Sequence, residues 1–239
     1  MDKVVINGDD YGMNERVSRA IAQALRERLI TDTTMLANGA YFDEAVILAR
    51  EEGFLDRIGI HFNLTEGEPL TGNIAKIADF VTDGHFNKRY LSAPRALTDL
   101  EREAIWLELS VQVMRLERAG IRVSHADSHH YIHTYTHIAP IVAALCARHG
   151  IRRVRLNRTF DSPERPLVTE GRVDNSFWHE GFETTRSFGR LSDVRDGIPA
   201  GTEVMVHPDY DRSGVLIDRT GMRDGWPTGE KLFRPPIKE

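Results

Sequence analysis

Short apolar runs alternate with stretches in which apolar residues return every three to four positions, and the two patterns follow one another along most of the 239 residues. Residues 3–6 read as a buried strand and Asn7-Gly8-Asp9-Asp10-Tyr11-Gly12 as a loop. A helix is expected over residues 15–29, where Val17, Ile21, Leu25 and Leu29 form one stripe, Asn14 suits the N-cap and Glu15 the first turn. Residues 33–38 read as a second strand, 42–51 as a second helix and 58–64 as a third strand. Residues 66–95 then carry glycines, prolines and a turn at Thr82-Asp83-Gly84-His85. That length exceeds a plain connection and points to a lid, a binding loop or a small excursion. Residues 97–119 give a long amphipathic helix with Leu100, Ala104, Leu107, Val111, Met114 and Leu116 near helical spacing and Gly120 at its end. Ile121-Arg122-Val123 reads as a buried strand, 135–149 as a helix, 152–156 as a strand bearing arginines and 202–206 as the last clear strand. Between 157 and 200 the signals weaken, although 177–189 has apolar content and 198–201 resembles a turn. Beyond His207 the chain is polar, with Gly214, Gly221, Gly225, Gly229 and Pro235-Pro236.

Alternating strands and helices imply a largely parallel sheet with helices outside it, in a single domain over residues 1–239. Asp9, Asp10, His61, Asp127, His129, Arg155 and His207 all fall at the carboxyl ends of expected strands. Random polar residues would scatter over both ends, whereas a barrel keeps its chemistry at this face. The expected fold is therefore an open or irregular (β/α) barrel, with a doubly wound sheet as the alternative.

Composition narrows the function. No apolar run approaches a membrane span, and the net charge of -5 offers no footprint for nucleic acid or an acidic membrane surface. The amino terminus enters a strand without a secretory-type segment, so the cytoplasm is the expected location. The single cysteine, Cys146, lies in an apolar run and reads as a buried structural thiol. A small or neutral substrate fits best, and a homodimer is compatible with this reading.

The chemistry concentrates in residues 125–137, which hold five of the ten histidines (His125, His129, His130, His133, His137) beside Asp127. Imidazoles delivered with a carboxylate at a strand end can hold a divalent ion, provided that partners come from elsewhere in the chain. Asp9, Asp10 and His61 are those partners. Arg155 or Arg158 could orient Asp9 by a charge-assisted bond, a surface ion pair being the blander reading. His125 and Asp127 could fix the tautomer of His129, since metal-bound histidines generally need such a partner.

Residues Asn7 to Gly12, Gly59-Ile60-His61-Phe62-Asn63-Leu64-Thr65, His125-Ala126-Asp127-Ser128-His129-His130 and Met205-Val206-His207-Pro208 resemble, in order, the motifs of the YdjC-like carbohydrate deacetylases, the group that includes chito-oligosaccharide deacetylase. The resemblance covers most of the chain. It implies a distorted (β/α) barrel of the polysaccharide-deacetylase kind and hydrolysis of an acetyl group from an N-acetylated sugar. It further implies that Asp10, His61 and His129 hold one divalent ion, with Asp9 as catalytic base and His207 as catalytic acid. The family commonly has Phe where Tyr11 stands and a third histidine where Tyr131 stands, and the segment after His207 departs from its pattern. Two histidines and a carboxylate suit zinc, cobalt or iron by ligand softness, while family members are often described with magnesium; Mg and Zn both stay open. Two alternatives remain: a metal-dependent phosphoesterase, disfavoured by the lack of a glycine-rich phosphate cradle, and a non-catalytic sugar-binding protein that keeps the site.

Overall fold

The computed structural model describes residues 3–160, 167–193 and 197–220. In chain order the elements are β1 (Val5–Tyr11), α1 (Glu15–Arg26), β2 (Asp32–Met35), α2 (Phe42–Glu51), β3 (Ile58–Phe62), the hairpin β4 (Val81–Thr82) and β5 (His85–Phe86), α3 (Arg89–Ser92) and α4 (Asp99–Arg118). There follow β6 (His125–Ser128), α5 (Ala139–Arg148), β7 (Arg153–Val154), α6 (Ser176–His179), β8 (Ser187–Arg190), β9 (Thr202–Val206) and the hairpin β10 (Pro208–Tyr210) and β11 (Leu216–Asp218). Seven strands form one sheet in the order β7-β6-β3-β2-β1-β9-β8, every neighbouring pair parallel.

That order decides between the two expected architectures. In a doubly wound sheet the chain would return past β1 and build outward, placing β8 next to β1. Here β8 is the outer edge and β9 lies against β1, so the chain has come round from the β7 side. The two edges are joined by isolated contacts: Arg153 bridges Glu183 in the parallel sense, and Thr159 N donates to Phe188 O at 2.9 Å. The result is a curled half-barrel sheet, closed irregularly where the ladder fails. Its strands are buried along nearly their whole length, as a parallel sheet covered by helices requires.

Several elements differ from expectation. The expected loop at 7–12 is mostly strand, because β1 runs on to Tyr11; Asp9 and Asp10 are strand residues. Residues 121–123 form no ladder, although Ile121 and Val123 are buried; pairing with β3 begins three residues later, Ile60 opposite Ala126. An apolar run reports burial, and only neighbours decide pairing. The helix expected over 15–29 stops at Arg26, where Arg28 turns into the left-handed region (φ 59°). The helix expected over 135–149 starts at Ala139, after a kinked, irregular segment over His129–Thr134.

On α4 the stripe that faces the core is Ala104, Ile105, Leu109, Val113 and Leu116. Leu100 and Leu107 are exposed, contrary to the sequence reading. Thr98 and Glu101 cap α4 reciprocally, each side chain bonding the other's backbone N–H. Residues 66–95 are a packed excursion, since Ile74, Phe80, Val81, Phe86 and Tyr90 join the main core and Phe80 stacks on Tyr90 at 4.9 Å. The turn expected at Thr82 to His85 is the β4/β5 hairpin, with Asp83 and Gly84 both at positive φ. Gly221, Gly225, Gly229 and Pro235-Pro236 lie outside the described residues. No helix among the described residues is long and apolar enough to cross a membrane.

Candidate functional site

The carboxyl ends of β1, β3, β6 and β9 open into a cavity of about 590 Å³ lined by Asp9, Asp10, His61, Ser128, His129, His130, Tyr131, Arg190, Met205, His207, Arg219 and Thr220. Strand register explains the gathering. His61 lies opposite Asp127 in the β3/β6 pair, and Gly8 lies opposite Val206 in the β1/β9 pair, so Asp9 and His207 follow at the same level on adjacent strands. The backbone is unusual where the ligands sit: Asp10 has φ 73°, and His130 and Tyr131 are consecutive left-handed residues at φ 54° and 57°. Non-glycine residues hold such conformations only where the surroundings over-determine them, typically at functional sites.

Asp10 Oδ1 lies 2.9 Å from His129 Nδ1 and 3.3 Å from His61 Nε2. The carboxylates on the far side of each ring show which nitrogen it can offer an ion. His61 Nδ1 is 2.6 Å from Asp127 Oδ1; a carboxylate only accepts, so this nitrogen donates and Nε2 is the one left beside Asp10. His129 Nε2 is 3.0 Å from Glu66 Oε2 and by the same reasoning donates there, which leaves Nδ1 beside Asp10. Two ring nitrogens and a buried carboxylate oxygen with no well-aligned hydrogen bond thus converge; without an ion the ring protons face Asp10, and an ion would take their place. Ligand atoms about 2.0–2.1 Å from a tetrahedral ion would stand roughly 3.3 Å apart, so the donor set fits a divalent ion.

The surrounding charge points the same way. Asp9, Asp10, Asp127 and Glu203 are all buried, and Arg155 is the one buried lysine or arginine among the described residues. Its guanidinium donates to Asp9 Oδ2 at 2.7 Å and Oδ1 at 2.8 Å, contacts Asp127 Oδ2 at 2.6 Å, and donates through Nε to Glu203 Oε1 at 2.6 Å. Arg219, from the residue after β11, donates to Asp10 Oδ2 at 3.0 Å. Burial opposes charge on His61, but Asp127, Asp10 and Asp9 outweigh it and raise its pKa to about 10. An interior this rich in carboxylates attracts a cation. Burial also works against ionised Asp9, yet Arg155 holds its pKa below the usual carboxylate range.

Three groups of side chains among the described residues have ligand atoms within 4.8 Å of one another: Asp10 with His61 and His129, Glu66 with His129 and His130, and Asp9 with His61 and Asp127. In the last, Asp9 and Asp127 are already claimed by Arg155 and the His61 nitrogen involved carries a proton. The second has an exposed glutamate and draws on His129 through its protonated nitrogen. The first remains.

The other expected residues are near by but do different things. Arg155 forms no surface pair; it is buried against three carboxylates, while Arg158 approaches Asp193 at 3.8 Å and does not reach Asp9. Asp127 fixes the tautomer of His61, and not that of His129 as expected. His125 does not touch His129 either. Its Nε2 lies 3.1 Å from Asn7 Oδ1, which turns the Asn7 amide so that Nδ2 donates to Asp9 Oδ1 at 2.8 Å. Gly59 is required here, since a Cβ would come within 2.6 Å of the His125 ring. His133 is a buried structural residue: Nε2 donates to Arg155 O at 3.1 Å and Nδ1 accepts from Ser128 Oγ. His137 is exposed.

Sequence reading missed Asn7, Thr34, Glu66, Glu203 and Arg219. Glu203 carried a signal: a charge inside the apolar strand 202–206 needs a buried counter-charge, and 152–156 offers one. Glu66 and Arg219 are exposed-type residues whose role depends on where the chain folds back.

Such a half-barrel, with chemistry at its carboxyl edge and a carboxylate-histidine cluster suited to a divalent ion, defines the class. The chain belongs to the YdjC-like protein family, whose model matches residues 3–226. It is 32% identical over 210 residues to carbohydrate deacetylase 1 of Listeria innocua, covering 87% of this chain and 82% of that protein. It is also 32% identical over 219 residues to a carbohydrate deacetylase of Brevibacillus brevis, covering 90% and 84%. Among solved structures, that of a putative cellobiose-phosphate cleavage protein from Enterococcus faecalis superposes with a TM-score of 0.68 at 20% identity, over 89% of this chain and 83% of the other; that likeness concerns the fold.

Proposed function

We propose that this chain is a metal-dependent carbohydrate deacetylase that hydrolyses the acetamide of an N-acetylated sugar, with a chito-oligosaccharide-like substrate as the first choice. The observation that supports the reading is the convergence of Asp10 Oδ1, His61 Nε2 and His129 Nδ1 in a cavity that also receives Asp9 and His207. The names of the relatives, carbohydrate deacetylases at 32% identity, supply the substrate class.

Asp10, His61 and His129 would hold the ion, Mg or Zn. A divalent ion there would polarise the acetyl carbonyl and acidify water. Asp9 is the base: Arg155 keeps it ionised, ready to take the proton of the attacking water, and Asn7 and Arg155 aim its carboxylate. His207 is the acid that gives a proton to the departing sugar nitrogen. Its Nε2 stands 3.9 Å from Asp10 Oδ2, in the residue that follows β9, the strand paired with β1. Splitting base and acid between two residues lets the same pocket activate the nucleophile and release an amine that is a poor leaving group.

A second reading, metal-dependent phosphate-ester hydrolysis, draws support from Arg190 and Arg219 in the cavity wall. One assay separates the two: metal-loaded protein is given N-acetylglucosamine oligomers and, in parallel, aryl and sugar phosphates. Acetate release abolished by His61→Ala supports deacetylation. Phosphate release with no acetate would replace it with the second reading.

A further inference from the structure

The two histidines of the candidate centre are held in unlike ways. His61 is oriented from within the core, by Asp127 on the neighbouring strand, a carboxylate that is 1% exposed and also bonded to Thr34 and Arg155. His129 is oriented from outside, by Glu66, whose side chain is 57% exposed. An exposed glutamate is ordinarily a mobile side chain, but the backbone beneath this one is clamped. Asn63 Oδ1 accepts from Glu66 N at 3.2 Å, and Glu66 O accepts from Asn63 Nδ2 at 2.7 Å and Asn38 Nδ2 at 3.0 Å. Asn63 is itself bracketed by buried Gln112 of α4, which bonds both its N and its O. The next-door Thr65 reaches His130 Nδ1 at 2.8 Å.

We propose that Glu66 is a positioning residue for the metal centre, holding the His129 ring so that Nδ1 faces Asp10 Oδ1. The inference rests on the metal-centre reading given above. The torsion that turns an imidazole about its Cβ–Cγ bond is broad and nearly two-fold. Without an acceptor at Nε2 the ring can turn over, placing a carbon where Nδ1 stood. Glu66 opposes that turn and also makes the ligating nitrogen more electron-rich, as carboxylate partners of metal-bound histidines do.

The test uses the full chain stripped of metal, with Zn²⁺ affinity read by competition with a chromophoric chelator and melting temperature read on the metal-free forms. Glu66→Ala is expected to weaken Zn²⁺ binding by about 10–100-fold, Glu66→Gln to recover most of that loss by accepting the same N–H, and neither to lower the metal-free melting temperature. Wild-type Zn²⁺ affinity in Glu66→Ala overturns the proposal. So does Glu66→Gln losing the ion as fully as His129→Ala, which would make Glu66 a ligand, or a metal-free melting temperature that falls in step with affinity, which would make it structural. His129→Ala is the control for the parent reading: if it still binds one Zn²⁺ as tightly as wild type, the metal centre itself is misassigned, a different failure from that of Glu66 alone.

Discussion

Asp9 near the end of β1 and His207 just after the adjacent parallel strand β9 both face the cavity, and substitution can separate the roles proposed for them. Asp9 is held ionised by a bidentate arginine, so its substitution should remove a base and leave the ion alone. Asp9→Asn is expected to retain metal while turnover falls by roughly two to four orders of magnitude, the usual worth of a positioned acid or base. His207→Ala should also retain metal but regain much of its rate on an activated acetate ester, whose leaving oxygen hardly needs a proton; Asp9→Asn should gain nothing there. Steady-state rates on amide and activated ester check both, and equal losses on the two substrates would take the acid role from His207. Elsewhere at this scale, His133 makes a prediction about stability. Burial, with the charge of Arg155, pushes its pKa down to about 3, so the folded state keeps it neutral while the unfolded chain protonates near 6.5. The unfolded state then binds more protons below 6.5, and the stability due to neutral His133, complete above that pH, is lost as pH falls toward about 3. Between pH 7 and 5 this amounts to roughly 2 kcal/mol. Urea unfolding at both values should show a shallower pH dependence in His133→Gln than in wild type; parallel curves would show that another group carries the effect.

At the scale of elements, the excursion over 66–95 is the piece whose character most changed on folding. By length alone it reads as a lid, a binding loop or a small excursion; packing favours the last, for Phe80 and Tyr90 are stacked inside it, and Tyr90 meets Tyr135 edge-on at 6.2 Å. It is therefore built into the core that carries the kinked segment bearing His129. Phe80→Ala should cost about 3–5 kcal/mol, the range for emptying a buried aromatic site, measured as the shift in denaturant midpoint at constant slope. A loss under about 1 kcal/mol, the scale of a surface change, would mean that the excursion moves as a separate flap. The same packing explains why Leu100 and Leu107 mislead: both fit the helical period of α4, but the buried Glu108 and Gln112 turn that helix to serve the excursion. Leu70 N and Thr71 Oγ1 bond Glu108, and Asn63 bonds Gln112, so polar anchoring set the rotation of a helix whose period alone left two apolar faces open.

For the whole molecule, the decisive quantity is the excess of buried carboxylate over buried cation at the carboxyl end of the sheet. Without an ion, the proton that these carboxylates hold on His61 offsets part of that excess; an ion that binds only the folded state should stabilise it by about 2.7 kcal/mol at a hundredfold excess over Kd. Thermal unfolding with Zn²⁺, and again after chelation, should show the gain and its loss, and the gain should vanish in His61→Ala. An equal shift in that variant would place the ion elsewhere. What the sequence determined by itself was local: the strand-helix alternation, residues 42–51 and 202–206 to the residue, and the position of acidic and histidine residues after strands. These are legible because periodicity and strand ends are properties of neighbouring residues. Tertiary structure alone decided the closure that puts β9 against β1, the assignment of Asp127 to His61 and of Glu66 to His129, and the burial of Arg155 among three carboxylates. Each of these depends on strand register or on a chain returning from far along the sequence, and a hydrogen bond between residues 61 and 127 or 66 and 129 leaves no trace in the pattern around either one.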